Sequence, residues 1–256
     1  MIITTDAIVL KTMKYRETSQ IITLFSREHG KLSVVAKGIR NRQKGGAGGA
    51  EPMTCVRAVI YKKPGKELHL MSQCDRLPVF RGLADDLRRM AGGMAAVELT
   101  NLSMPPEEPH TDVFELLSHT LESLGNATRS PENALYYYEM QLLGMLGFRP
   151  ELRSCVECGR SLALIAEDGL RHCSISTHGL VCSGCENRGF GGQRVSLAAL
   201  GALTGLQDAR HPEAASRIIL STAMRDEVGG ALRHLVLHHL TGMKPLQSEQ
   251  VFFTLG

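Results

Sequence analysis

Five short runs rich in β-branched residues lie within the first eighty positions, and apolar residues recur at three- and four-residue intervals from residue 81 onward. Two Cys-x-x-Cys pairs sit between residues 155 and 185. These observations predict an α+β chain: an N-terminal five-stranded β-barrel of the OB-fold type, then an α-helical domain carrying a four-cysteine zinc ribbon. The expected domains are 1–80 and 81–256, with the ribbon inserted at about 151–190.

The barrel expectation rests on composition and punctuation. Ala7-Ile8-Val9-Leu10 is a compact apolar run, and Lys11 to Thr18 reads as a polar hairpin. Ile21 to Phe25 resumes the strand composition, and Glu28-His29-Gly30-Lys31 is a turn in which Gly30 can take positive φ. Lys31 to Gly38 forms a third strand. Cys55 to Lys62 and Glu67 to Ser72 form the last two, joined by Lys63-Pro64-Gly65-Lys66. Between the third and fourth strands, Ile39 to Ala50 offers little to pack beyond Ile39 and is rich in glycine. Its cations Arg40, Arg42 and Lys44 alternate along what reads as a flexible arm.

From residue 81 the spacing turns helical. Leu83, Leu87, Met90, Met94, Val97 and Leu102 suit one long helix, with Gly92-Gly93 tolerable where another helix packs closely, and Pro105-Pro106 stops it. Thr111 to Phe114 caps a second helix that runs to Gly125. Ser130 and Pro131 open a third with serine at the cap and proline at the first position, running to Gly147-Phe148. Within it Tyr136-Tyr137-Tyr138 reads as core packing rather than a stacking platform. After Gly189 to Gly192, taken as a linker, helices are expected from Ser196, over about 212–222, and from Ala231 to Leu240.

Cys155, Cys158, Cys182 and Cys185 have the spacing of two zinc knuckles, with Gly159 and Gly184 permitting tight turns. Four sulfur ligands leave no open coordination position, so one structural zinc ion is expected rather than a catalytic one. The gap between the pairs has room for a hairpin. Two readings stand for Cys173: a fifth thiol competing for the metal near His172 and His178, or a small buried hydrophobe, which we expect. Cys55 and Cys74 are expected in the core.

Net charge is +3, but it is divided unevenly. Residues 1–80 hold fourteen Lys and Arg against six Asp and Glu, a balance of +8, and the remainder carries −5. Eight of the nine lysines lie within the first 66 positions. Such segregation marks a module that holds a polyanion. Lys11, Lys14, Tyr15, Arg16, Lys37, Arg40, Arg42, Lys44, Lys62 and Lys63 are the candidate nucleic-acid contacts, Tyr15 being the best stacking side chain. Aromatics are sparse, so contacts should go chiefly to phosphate, and duplex as well as single strand can be held.

The chain shows no signal-peptide pattern and no apolar stretch of membrane-spanning length, and its cysteine usage suits a reducing interior. A soluble, cytoplasmic protein is expected. Nucleotide-binding loops and nucleophile elbows are absent. Arg233 to His239 places His234 and His238 on one helical face without the glutamate a metalloprotease needs, and they read as surface or capping residues. A non-enzymatic binding protein is therefore expected, with no small-molecule substrate. The alternative is a zinc-ribbon nuclease using Asp85, Asp86 or the histidines, and a weaker third reading is a protein-interaction scaffold.

Several stretches resemble the RecO family of bacterial recombination mediators. They are Ala7 to Leu10, Tyr15 to Ser19, Leu24 to Lys31, Ala36-Lys37-Gly38, Leu142 to Pro150 leading into Cys155, and Lys244 to Ser248. The similarity spans essentially the whole chain in order. It implies an OB-fold, a helical domain and a four-cysteine zinc element present in many members. It further implies binding of single- and double-stranded DNA, annealing of complementary strands, and partnership with RecR and single-strand-binding protein so that recombinase can load. The glycine-rich stretch 45–49 and Ser174 to Gly179 depart from the family pattern, and Cys173 is not an expected ligand.

Overall fold

The computed structural model describes residues 1–37, 50–128, 130–167 and 172–254. In chain order its elements are β1 (Ile2–Tyr15), β2 (Ser19–Ser26), β3 (Gly30–Ala36), β4 (Cys55–Tyr61), β5 (Leu68–Arg76), α1 (Leu87–Ser103), α2 (Thr111–Asn126), α3 (Glu132–Met145), α4 (Leu162–Glu167), β6 (His172–Ile175), β7 (Leu180–Val181), α5 (Ser183–Glu186), β8 (Gln193–Ser196), α6 (Leu197–Asp208), α7 (Pro212–Ala215), α8 (Thr222–His239) and α9 (Gln247–Thr254). They divide into two compact units, 1–127 with 246–256, and 128–245.

In the first unit the five strands close into a barrel of order β1-β2-β3-β5-β4, with β4 returning to pair with β1. All pairings are antiparallel except β3 with β5. Strand period two fills the interior. Leu32, Val34 and Ala36 of β3 alternate inward and meet Ile22, Leu24, Val56, Ala58 and Ile60. The run Ala7–Leu10 is buried on every residue, because alternate side chains enter the barrel while β1's other face lies under α1. Phe25, also on the outer face, packs its ring 6.1 Å from Phe114 of α2.

Lys11–Tyr15 is not itself a turn. It continues β1 past an irregularity between Val9 and Lys11 and pairs with β2 down to Tyr15 opposite Ser19. The turn is confined to Arg16, Glu17 and Thr18, and the segment is polar because this end of the ribbon is exposed.

Asp86 caps α1 by accepting from the Arg88 and Arg89 amides. A Cβ on Gly93 would fall onto the Met53 sulfur, so this glycine makes room for Met53, while Leu121 of α2 at 3.4 Å would be in ordinary contact. The second helix begins one residue earlier than expected, with His110 at the cap; the Thr111 hydroxyl instead donates to the Arg27 carbonyl. The Glu98 carboxylate accepts from the Gln247 and Ser248 amides and so caps α9, a helix the periodicity did not reveal.

In the second unit α3 packs against α6, α7 and α8. Its cap position holds Pro131, and Tyr136, Tyr137 and Tyr138 are all core residues. The ribbon is a three-stranded sheet, β7-β6-β8, whose β8 follows the expected Gly189–Gly192 linker and ends where a helix was expected to begin. A Cβ on Gly192 would fall onto the Ile175 carbonyl, so this glycine lies flush against β6. Helix α8 begins nine residues before the expected Ala231, and the expected helix over 212–222 is the short α7.

Gly30 has φ +65°, and a Cβ there would strike the Glu108 backbone. Gly30→Ala should therefore cost about 2 to 4 kcal/mol through left-handed strain and overpacking together. Urea unfolding followed by circular dichroism measures this.

Candidate functional site

The ribbon brings the four predicted cysteines together. The sulfurs of Cys155, Cys158, Cys182 and Cys185 all lie within 4.8 Å of one another, the one group of three or more His, Cys, Asp or Glu among the described residues arranged to hold a metal. The first knuckle is a backbone turn in which the Gly159 amide donates to the Cys155 carbonyl and Gly159 takes φ +73°. The second is built otherwise. Cys182 precedes the single-turn helix α5, and Gly184 is an ordinary helical residue there rather than the turn-former expected. The knuckles are tied by backbone bonds from Val156 to Leu180 and from Leu180 to Glu151.

Cys158 Sγ is 3.7 Å from Cys182 Sγ. Sulfurs placed about 2.3 Å from a tetrahedral zinc stand about 3.8 Å apart, so this edge already has the dimension of a thiolate cage. The Cys182 amide donates to Cys155 Sγ at 3.4 Å, and the Arg188 guanidinium donates to Cys185 Sγ at 2.8 Å. Arg188 was not anticipated; its only signal is a basic residue three positions after the last cysteine.

Two of the thiols are driven in opposite directions by their surroundings. Burial raises Cys155, but amides of Cys182, Glu157 and Cys158 outweigh it and bring the thiol down to about 6. Burial pushes Cys185 up to about 12, the other thiols adding to the effect and Arg188 opposing it. Adjacent thiolates repel, and a divalent cation is what lets all four ionise. The donor set could hold a metal ion. Cys173 lies outside it, fully buried with its thiol directed at the Val195 carbonyl at 3.8 Å. Cys55 is buried, and Cys74 is half-buried against the barrel core.

The basic candidates separate into groups. Tyr15 pairs with Ser19 and Gln20 with Ala36, so strand register puts Lys14, Tyr15, Arg16 and Lys37 at one end of the β1-β2-β3 sheet. All four are exposed, as is Lys11, and the Arg16 guanidinium lies 5.4 Å from the Tyr15 ring. Lys62 and Lys63 follow β4, whose end pairs with the start of β1. Lys63 is exposed, whereas Lys62 is half-buried and bonded to Glu107 at 2.7 Å. Arg40, Arg42 and Lys44 lie outside the described residues.

Asp85, Asp86 and the histidines weighed for nuclease chemistry form no group of three or more such side chains able to hold a metal among the described residues. Asp86 is a helix cap, and Glu107 bonds Lys62 and the buried His69. His238 is exposed, and His239 bonds the Thr177 carbonyl at 2.7 Å while stacking on Phe148. No helix among the described residues is long and apolar enough to cross a membrane.

These features define a two-unit barrel-and-ribbon protein, with cations gathered on the barrel and a four-thiol centre in the helical unit. Two family models match, Recombination protein O N terminal over residues 1–80 and Recombination protein O C terminal over residues 84–249. Curated relatives named DNA repair protein RecO include those of Symbiobacterium thermophilum, 33% identical over 98% of this chain and 96% of that one, and Salinibacter ruber, 31% identical over 98% and 93%. The relative in Chloroherpeton thalassium is 29% identical over 98% of each chain. The chain belongs to the RecO family of DNA repair proteins.

Lys62, with His69 assisting and burial opposing, holds the Glu107 carboxyl below its ordinary value of 4.5. A depressed carboxylate stabilises the fold fully above its unfolded value and loses that contribution as pH falls through the folded one. Stability measured by urea unfolding from about pH 6 down to about pH 3 should therefore drop below about pH 4.5, and Glu107→Gln should flatten that part of the profile.

Proposed function

We infer that the protein is a non-enzymatic recombination mediator of the cytoplasm. It binds single- and double-stranded DNA and anneals complementary strands. It also cooperates with RecR and single-strand-binding protein in loading recombinase. The observation that carries this reading is the set of exposed cations Lys14, Arg16 and Lys37, which share the end of a closed barrel with Tyr15, with Lys11 exposed further back along β1. Lys63 and the arm residues Arg40, Arg42 and Lys44 would extend the phosphate contacts. Lys62 would join them only by leaving Glu107. Neutralising phosphates on two strands releases counterions and lowers strand repulsion, which is what annealing requires. Tyr15 adds stacking for an unpaired base. Membership in a family of DNA repair proteins supports the reading.

Annealing of two complementary oligonucleotides, with and without single-strand-binding protein across a salt series, tests it. The protein should speed annealing, and the effect should fade with salt. Lys14→Ala, Arg16→Ala and Lys37→Ala should each lower the salt slope of binding by about 1. Binding without annealing, or metal-dependent cleavage of the strands, would overturn the mediator reading.

The four cysteines would hold one structural zinc, joining the two knuckles through a closed thiolate cage. Elemental analysis should find one zinc per chain. Because protons compete for the thiolates, zinc should be lost as pH falls. Cys158→Ser should lose the ion and loosen the ribbon while the barrel stays folded, and full zinc retention would sink the assignment.

A further inference from the structure

Three of the four clustered cysteines are enclosed. Cys155, Cys182 and Cys185 are 1%, 5% and 1% exposed, whereas Cys158 is open to solvent. Cys158 comes from the first knuckle and Cys182 from the second, and their sulfurs stand 3.7 Å apart. Outside the cluster Cys55 and Cys173 are buried and Cys74 is half-buried, and burial raises all three thiols. Among the cysteines, oxidant therefore meets one exposed thiol, Cys158, that stands beside a second able to trap it.

We propose that Cys158 is an oxidation site of the peroxide class: hydrogen peroxide or an organic hydroperoxide takes this sulfur first, and Cys182 resolves it to a disulfide that opens the metal centre. The proposal rests on the four-thiolate zinc reading. In the first step the Cys158 thiolate attacks a peroxide oxygen. A sulfur–oxygen bond forms and the oxygen–oxygen bond breaks. The sulfur loses two electrons to become a sulfenic acid, and the departing oxygen takes a proton to leave as water or alcohol. In the second step the Cys182 thiolate attacks the Cys158 sulfur. The sulfur–sulfur bond forms, and hydroxide leaves and takes a proton as water. Two thiolates and one peroxide thus consume two protons and give one disulfide.

That disulfide removes two of four ligands from opposite knuckles, leaving Cys155 and Cys185 to hold the ion alone. The ribbon it loosens is bonded to the surrounding helices through Glu227 to Ser196, Gln207 to Pro150 and His239 to Thr177. Oxidation would therefore be felt across the second unit.

The test uses the full wild-type chain, with zinc content measured first. Hydrogen peroxide is then added in the presence of a chromogenic zinc chelator, and samples are differentially alkylated and digested for mass spectrometry. Cys158 should be modified at least about tenfold faster than Cys74, the half-buried bystander. Zinc should appear in step with it. The product should be a Cys158–Cys182 disulfide about 2 Da lighter than the two thiols, and dithiothreitol with added zinc should restore the starting state. Equal rates at Cys74, zinc retained after Cys158 has oxidised, or a disulfide joining another pair would overturn the proposal. A chain lacking zinc at the outset would overturn the zinc reading instead, and the Cys158–Cys182 pairing would still be read from the same digest. Cys74→Ser controls for bystander oxidation and should leave zinc release unchanged.

Discussion

Strand β1 is the constraint on which the first unit depends. Its fourteen residues pair with β2 along one edge and with β4 along the other, so the same segment opens and closes the barrel. Each residue from Ala7 to Leu10 is buried because one face of the strand looks into the barrel and the other lies under a helix. The strand then outruns the core. Beyond the irregularity at Val9 and Lys11 it carries Lys14 and Tyr15 into solvent, still hydrogen-bonded to β2. Rigid pairing behind an exposed, cationic tip is a sound way to present charge to a polyanion, because little conformational entropy remains to be lost on binding.

The second unit solves a different problem. Its ribbon has strands of two to four residues, too short to hold a sheet by backbone pairing alone. Four sulfurs within 4.8 Å could supply the missing constraint, since a metal ion shared among them would join segments from both sides of the hairpin. The helices α6 and α8 supply the rest. Cys173, by contrast, sits in β6 as ordinary core, and its strand position turns its thiol away from the cluster.

Charge is spent unevenly across the barrel. Arg57 is paired with Asp6 in two hydrogen bonds, Arg27 with Glu115, and Lys31 reaches the Asn101 carbonyl. Lys62 belongs with Glu107 and the buried His69. These cations hold the unit together, whereas Lys11, Lys14 and Lys37 form no ion pair with a described residue. A charge balance of +8 over the first eighty residues therefore overstates what is available to a ligand.

Local pattern by itself determined the five strands, the cysteine quartet and the burial of the three tyrosines. Period-two and period-3.6 hydrophobicity and knuckle spacing are all written within a few residues of each other. Only the tertiary structure decided which cations are engaged, that Asp86 and Glu98 cap helices, and that β8 completes the ribbon. It alone decided that α9 joins the barrel unit and that Cys158 is the open sulfur. Each of these depends on partners remote in the chain, such as Glu98 with Gln247 or Lys62 with Glu107, and no local periodicity records a neighbour that only folding supplies.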